Sequence, residues 1–449
     1  MYSIILLKAK VGKYMRKTAW VVLIITLLVI LAACNKPPGT KQGTETTANA
    51  EAITDHNEIK PEKGASLLLW DNKDEEGEWA TYVAKEFTKK YGVPVKYEHV
   101  NHTDAPEKLK VDGPAGLAAD VFNAPHDHTG SLAKSGLLFE NMVSEDYKKD
   151  FMKTAIDATS VIERGKRVLY GFPIAIETYA LYYNKDLVDK PAKTWEELFA
   201  QVKEFNKGAT KANPKYGFMM DPGNFYYTHA FLAGYGGYVF GDKNTNPNLL
   251  GLNNNGAVKS GEFVRRIHKE LLPLKIEDIS QDIISTFFNE GKLMYHISGP
   301  WDVKNHLDAG INLGVSPLPK LDNGKSPKSF AGIKSYFVNP YSKYPKAATL
   351  LAQFATSEKM LEKRYELTGQ IPPHNGLVKT DVFTKDVISI AFLEQVQKAV
   401  PMPNIPEMEP VWEPMGTAYS TIWNNDQDPQ KAFEKAVKQI RETIKIHKQ

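Results

Sequence analysis

Three sets of side chains in this chain could do chemistry. Tyr226, Tyr227, Tyr235, Tyr238, Trp301 and Trp412 lie in Gly- and Pro-rich surroundings, mixed with carboxylates and amides. An aromatic ring offers a flat apolar face, with a polar tip on Tyr and Trp. A pyranose has apolar C–H faces and a rim of hydroxyls, so it fits such a platform when acceptors such as Asp74, Asp127 and Glu177 flank it. His126-Asp127-His128, with His99 and His102 nearby in sequence, is the second set, because zinc and similar ions take imidazole and carboxylate. Paired carboxylates are the third, since two of them across a glycosidic bond can hydrolyse it. Nothing in the sequence marks one acid as raised in pKa. The residues alone leave sugar binding, metal capture and glycoside hydrolysis open, and most Trp and Tyr of so long a chain serve the core. No P-loop, GxGxxG, HExxH, GxSxG or CxxC occurs, so templates for phosphate, dinucleotide, zinc-hydrolase, serine-hydrolase and dithiol chemistry are missing.

These side chains need elements to hold them. Leu67-Leu68-Leu69-Trp70 predicts a short strand, followed by a polar loop from Asp71 to Glu78. Trp79, Val83 and Phe87, at i, i+4 and i+8, predict a helix closed by Tyr91-Gly92. Val93, Val95 and Tyr97 alternate as a strand, and Ala119 to Phe122 is another, ending in Asn123-Ala124-Pro125-His126-Asp127-His128. Strands alternating with helices imply an α/β fold with a parallel sheet, in which ligands sit beyond the carboxyl ends of strands. The loops after Trp70 and Phe122 are therefore the places to look. Ala180 to Tyr183, Leu293 to Ile297 and Ile311 to Val315 also read as strands. Thr194-Trp195-Glu196-Glu197 is a capping box opening a helix through about Asn206. Pro345 to Ala355 and Pro429 to Lys445 read as helices, the first with Pro in its opening turn.

The chain has 449 residues, a formal charge of +3 and a length suited to two or three domains. The charge misleads. Residues 1–33 hold five bases and no acid, and taking them from the 56 bases leaves 51 against 53 acids. Such a body lacks the basic excess of a nucleic-acid binder. Ala19 to Ala33 is apolar except for Thr26, and its fifteen residues would span about 22 Å as a helix, short of a ~30 Å hydrocarbon core. Basic residues precede it, as in a signal peptide, and Met15 offers an alternative start to Met1. Leu31-Ala32-Ala33-Cys34 ends the run and resembles a bacterial lipoprotein lipobox; Cys34 is the only cysteine. That resemblance implies cleavage before Cys34, a diacylglyceryl thioether on it and, with a further acyl chain such as palmitate, firm anchoring in a membrane. Asn35 to Gly64 has no aromatic residue and only Ile53 and Ile59 as larger aliphatics, a composition that predicts a tether.

Several stretches together resemble a known family. They are Asp120-Val121-Phe122 through Ser135-Gly136-Leu137-Leu138, then Pro173-Ile174-Ala175-Ile176-Glu177 running into Tyr183-Asn184-Lys185-Asp186-Leu187, and Lys193-Thr194-Trp195-Glu196-Glu197. Gly236-Gly237-Tyr238, Phe288-Asn289-Glu290-Gly291, Gly299-Pro300-Trp301 and Met402-Pro403-Asn404-Ile405-Pro406 follow in order. Over about Ser66 to Lys445 the chain resembles the maltose/maltodextrin-binding proteins of ABC importers, within the larger family of extracellular solute-binding proteins.

The resemblance implies a two-lobed periplasmic-binding-protein-like α/β fold. Each lobe would be a mostly parallel sheet flanked by helices, with the ligand cleft between them. Residues 1–33 would be the signal peptide and 34–64 the anchored Cys34 and tether. Lobe one would comprise 65–175 and 336–380, and lobe two 180–330 and 382–449. The implied activity is capture, without catalysis, cofactor or metal, of a maltodextrin (maltose, maltotriose, or longer or cyclic α-glucans). The implied setting is a monomer lipid-anchored on the outer face of the bacterial cytoplasmic membrane. It would deliver sugar to permease subunits served by a separate cytoplasmic ATPase. The matched stretches carry over Asp74, Asp127 and Glu177 as acceptors of sugar hydroxyls and Tyr226, Trp301 and Trp412 as stacking platforms. His128 also falls at a ligand position, occupied by arginine in the enteric members. Ala124, Asn224 and Glu75 likewise stand where those members have tryptophan, glutamate and lysine. Another oligosaccharide is the nearest alternative, ahead of a metal-capturing lipoprotein or a secreted glycosidase.

Overall fold

A computed structural model describes residues 59–446 of the chain apart from Lys211. The signal-peptide reading, Cys34 and most of the tether fall outside those residues. Ile59–Gly64, read from composition as the end of the tether, are tied to the body. Ile59 packs against the core, and the Glu62 carboxylate accepts from the backbone N–H groups of Lys346 (2.8 Å) and Ala347 (2.9 Å). Those donors open the helix Pro345–Ala355, so Glu62 satisfies N–H groups that a helix start otherwise leaves unpaired.

Two sheets organise the chain. The first runs, from one edge, Val95–His99, Leu67–Asp71, Val121–Pro125, Phe330–Val338 and Val400–Pro401, with Phe172–Glu177 also paired to Phe330–Val338. Its first three strands are parallel, as the strand-helix alternation requires. Leu67 and Leu69 point into the main core while Leu68 and Trp70 serve a second apolar cluster with Phe122 and Phe337. Burial on both faces explains why Leu67–Trp70 is continuously apolar instead of alternating. The second sheet runs Leu313–Ser316, Ala180–Asn184, Leu293–Ser298 and Tyr216–Met219.

The second sheet corrects the expectation of a mostly parallel one. Ala180–Asn184 is antiparallel to both neighbours, and only Leu293–Ser298 with Tyr216–Met219 is parallel. Ala180–Asn184 arrives straight from Phe172–Glu177 through Thr178-Tyr179. Without a helical crossover, nothing in the connection imposes its neighbours' direction. The crossing is pinned: Thr178 Oγ1 donates to Phe330 O at 3.0 Å, beside Ser329, which accepts from Gln395. Phe330–Val338 lies wholly in the first sheet, starting before the predicted return at 336, and Val400–Pro401 pairs with it.

Most predicted elements appear with small shifts. The helix predicted from Trp79 starts earlier, at Asp74, so the loop after the first strand is only Asn72-Lys73. Asp74, Glu75 and Glu76 fill its first turn, where carboxylates face the positive end of the helix dipole. Gly92 ends it at φ 70, a left-handed cap that glycine adopts freely. Thr194 caps Trp195–Asn206 by accepting from Glu197 N; the Glu197 carboxylate reaches back to Lys193 N (2.8 Å), one residue outside the usual box.

Candidate functional site

The carboxyl ends of strands from both sheets open on one cleft of about 1120 Å³. From the first sheet, Leu67–Asp71 delivers Asp74, Glu75 and Glu76. Val95–His99 delivers His102, Val121–Pro125 delivers Asp127 and His128, and Phe172–Glu177 ends in Glu177. From the second, Tyr216–Met219 leads to Tyr226 and Tyr227, and Leu293–Ser298 to Trp301. Trp412 opens the helix Trp412–Asn425, which packs on the helices Phe225–Tyr235 and Asn255–Glu270. All seven residues singled out from the sequence, Asp74, Asp127, His128, Glu177, Tyr226, Trp301 and Trp412, line this one cleft.

The second-sheet wall is aromatic. Tyr226 and Trp301 have ring centroids 6.4 Å apart, Tyr226 stacks near Phe330 at 6.2 Å, and Phe330 meets Trp412 at 5.7 Å. Local sequence explains the placement of Trp301. Its ring folds back over Gly299, where an added Cβ would sit 2.1 Å from the indole. Asn224 caps the helix that carries Tyr226, its side chain accepting from Tyr226 N at 3.0 Å.

The first-sheet wall is ionic. Glu76 is buried and accepts from Lys334 Nζ (2.8 Å), Arg364 Nη2 (2.7 Å) and Gln370 Nε2 (2.9 Å). Burial alone would raise its pKa, but Lys334 and Arg364 hold it well below the ordinary carboxylate range. Glu177 is the opposite case. Burial pushes it up to about 7, with Glu76 and Asp127 adding to the rise and Lys334 opposing it. Glu177 is thus raised where the sequence marked no acid, because its burial depends on tertiary packing. His102 is pushed down to about 3 by burial and by Lys334, so it is neutral near pH 7. Trp412 Nε1 donates to Asp127 Oδ2 at 3.2 Å, joining the two walls. Asp127 Oδ1 and the Tyr226 hydroxyl are buried with no hydrogen-bond partner among the described residues.

The geometry removes His126 from the metal reading of His126-Asp127-His128. Both ring nitrogens of His126 are engaged: Nδ1 accepts from Ile333 N, which leaves Nε2 protonated and donating to Met402 O, each at 3.0 Å. Among the described residues no group of three or more His, Cys, Asp or Glu is placed to hold a metal ion. No described helix is long and apolar enough to cross a membrane. Of the four departures noted in the sequence, Glu75, His128 and Asn224 border the cleft. Ala124 does not; it is buried with Trp70, Phe122 and Leu132 behind the strand. Sequence reasoning missed Glu76, Lys334 and Gln370 on the cleft wall, named His102 only within the metal set, and missed a polar stretch carried by Gln281, Ser285 and Asn289.

Comparison with known proteins agrees with this architecture. The profile of a bacterial extracellular solute-binding protein family matches residues 82–390. A galactooligosaccharide-binding protein of Bacillus subtilis is 36% identical over 390 residues, 85% of this chain and 90% of the relative. A maltooligosaccharide ABC transporter solute-binding lipoprotein of Streptococcus pneumoniae is 30% identical over 438 residues, 97% of this chain and 98% of the relative. Among solved structures, a cyclo/maltodextrin-binding protein complexed with maltotetraose superposes with a TM-score of 0.71. It has 38% identity and covers 84% of this chain and 97% of its own.

Proposed function

This chain belongs to the family of bacterial extracellular solute-binding proteins, and on that premise we propose that it captures maltodextrins outside the cell for an ABC importer. The observation that carries the reading is the pairing of two unlike walls across one cleft. Tyr226, Trp301 and Trp412 offer stacking faces to pyranose rings, and Asp127 and Glu177 opposite them accept hydroxyls. Buried polar atoms without partners are rare in folded proteins, and both Asp127 Oδ1 and Tyr226 Oη belong to residues at this cleft. A sugar touching both walls favours the arrangement in which they face each other, by its differential affinity for that state. His128 and Asp74 act at the margin, Asp74 with its side chain two-thirds exposed (67%).

The protein performs no chemistry in this reading. Transport belongs to separate permease and ATPase chains, since no ATP-binding loop occurs in the sequence. Cys34 carries the lipid that holds it to the outer face of the cytoplasmic membrane, in keeping with the lipoprotein relative that matches almost the whole chain. A galactooligosaccharide is the second reading, favoured by the 36% identical relative of that specificity. Calorimetric titration with maltotriose, maltotetraose and β-1,4-galactotriose decides between them. Tight binding of the α-glucans alone supports the first reading, and binding of the galactotriose alone replaces it with the second. Analysis of each mixture for shortened sugars tests the absence of hydrolysis.

A further inference from the structure

Lys334 stands in the middle of the strand Phe330–Val338 and is 2% exposed, an expensive place for an ammonium. It lines the cleft, and its contacts reach both walls. Nζ donates to Glu76 Oε1 at 2.8 Å, stands 3.7 Å from Glu177 Oε1 and lies 5.8 Å from the centre of the Trp301 ring. Glu76 is fully engaged, with Arg364 and Gln370 as further donors. Among the described residues Glu177 has only the longer ion pair with Lys334 and a 3.8 Å approach from His102 Nε2. His102 Nδ1 lies 3.0 Å from Asn72 Oδ1, an acceptor that also takes His102 N. The ring proton therefore sits on Nδ1, and Nε2 presents a lone pair to Glu177. Two acceptors and one cation converge there, an arrangement that a hydroxyl donating a proton would complete.

We propose that Lys334 is a positioning residue of the sugar site: it holds the Glu177 carboxylate where a ligand hydroxyl meets it and keeps that carboxylate charged. This rests on the sugar-binding reading above. The groups facing Glu177 come from every neighbouring element: Lys334, Glu76, His102, Asp127, Arg364 and Tyr226. Lys334 is the nearest cation among them, and its charge most strongly opposes the upward push of burial, which leaves Glu177 at about 7. A hydroxyl that donates to the ionised carboxylate binds best above that pH. Affinity is therefore full at pH 8 and falls as pH drops through 7. For a single group of this kind the loss between pH 8 and pH 6 is about tenfold. Removing the cation makes ionisation harder still, so the fall begins at higher pH.

The test is the maltotriose dissociation constant from pH 6 to 9, with the galactotriose in its place if that is the sugar bound, for the intact chain and three variants. The wild type is expected to weaken about tenfold from pH 8 to 6. Glu177→Gln should remove that step, Lys334→Arg should keep it in place, and Lys334→Met should move it upward by a unit or more. A variant that merely loosened packing would lose the same factor at every pH. Equal loss across the range in Lys334→Met, or an unchanged profile, overturns the proposal. Should Lys334→Met fail to fold, the wild type and Glu177→Gln still decide, since binding without a step between pH 6 and 9 also overturns it. If the wild type binds neither sugar at any pH, the sugar-binding reading itself fails, and this inference with it.

Discussion

The two walls of the cleft are built on opposite principles. The wall from the second sheet is made of rings, Tyr226, Trp301 and Trp412, which touch one another through Phe330 and Phe225 and carry no formal charge. The wall from the first sheet is made of ions, with Glu76, Lys334 and Arg364 buried in mutual contact and Glu177 only partly compensated. An aromatic face accepts any sugar ring that presents C–H groups, so it supplies affinity with little discrimination. A fixed carboxylate accepts a hydroxyl only where one projects, so it supplies selectivity. On the proposed reading, breadth of binding falls to one wall and choice of sugar to the other.

Acid should have the largest effect, and it reaches both walls, since His102 on the ionic wall is held as low as His229. Behind the aromatic wall His296 and His306 lie 5.0 Å apart, burial lowering the first well below its usual range and the second to about 4. His229, pushed down to about 3 by burial, packs on Phe330. All three are neutral when folded and take up protons readily when unfolded. Their stability contribution is thus whole above the free imidazole pKa of about 6.5 and is lost as pH falls below it, by about 1.4 kcal/mol per histidine per unit. Hydrogen exchange in Leu293–Ser298 and Val303–Asp308 should rise as pH is taken from 7 to 5; unchanged exchange there would contradict this role of the buried histidines. Next in size, Arg364→Met leaves Glu76 with Lys334 as its only close cation among the described residues, and breaking a buried pair costs about 3–5 kcal/mol, readable in a urea melt.

Binding effects should be smaller and graded. Trp301→Ala should weaken maltotriose by more than tenfold, from the loss of about 1.5–3 kcal/mol of stacking and burial. Trp412→Phe keeps a ring but removes the donor to Asp127 Oδ2, a loss of about 1 kcal/mol, or roughly fivefold in calorimetry. Asp74→Ala should change affinity within about threefold, because an exposed side chain already meets water. A larger loss at Asp74 than at Trp301 would invert the ranking of the walls.

How much of this was legible in sequence depended on whether a residue's role was local. The loops after Trp70 and Phe122 were found by the rule that ligands sit beyond strand ends, and Thr194 and Pro345 marked their helices by capping chemistry. Glu76 was placed in a loop because the apolar periodicity begins at Trp79, while the helix starts at Asp74 with a left-handed φ of 55 that no pattern announces. Lys334 had one signal, a lysine inside the apolar stretch Phe330-Ala331-Gly332-Ile333-Lys334-Ser335-Tyr336-Phe337-Val338. Its meaning lies in partners far off in the chain, Glu76 and Glu177, which only the folded structure brings together. The raised pKa of Glu177 was hidden for the same reason.

The most direct test of the central claim, that one sugar is held between an aromatic and an ionic wall, is the tryptophan fluorescence of the protein titrated with maltotriose. Glucose, sucrose and zinc serve as controls, and Trp301→Ala and Trp412→Ala are run alongside. A saturable change with maltotriose alone, weakened more than tenfold in each variant, is the predicted result. No response in the wild type, confirmed by calorimetry, or undiminished affinity in both variants, would contradict it.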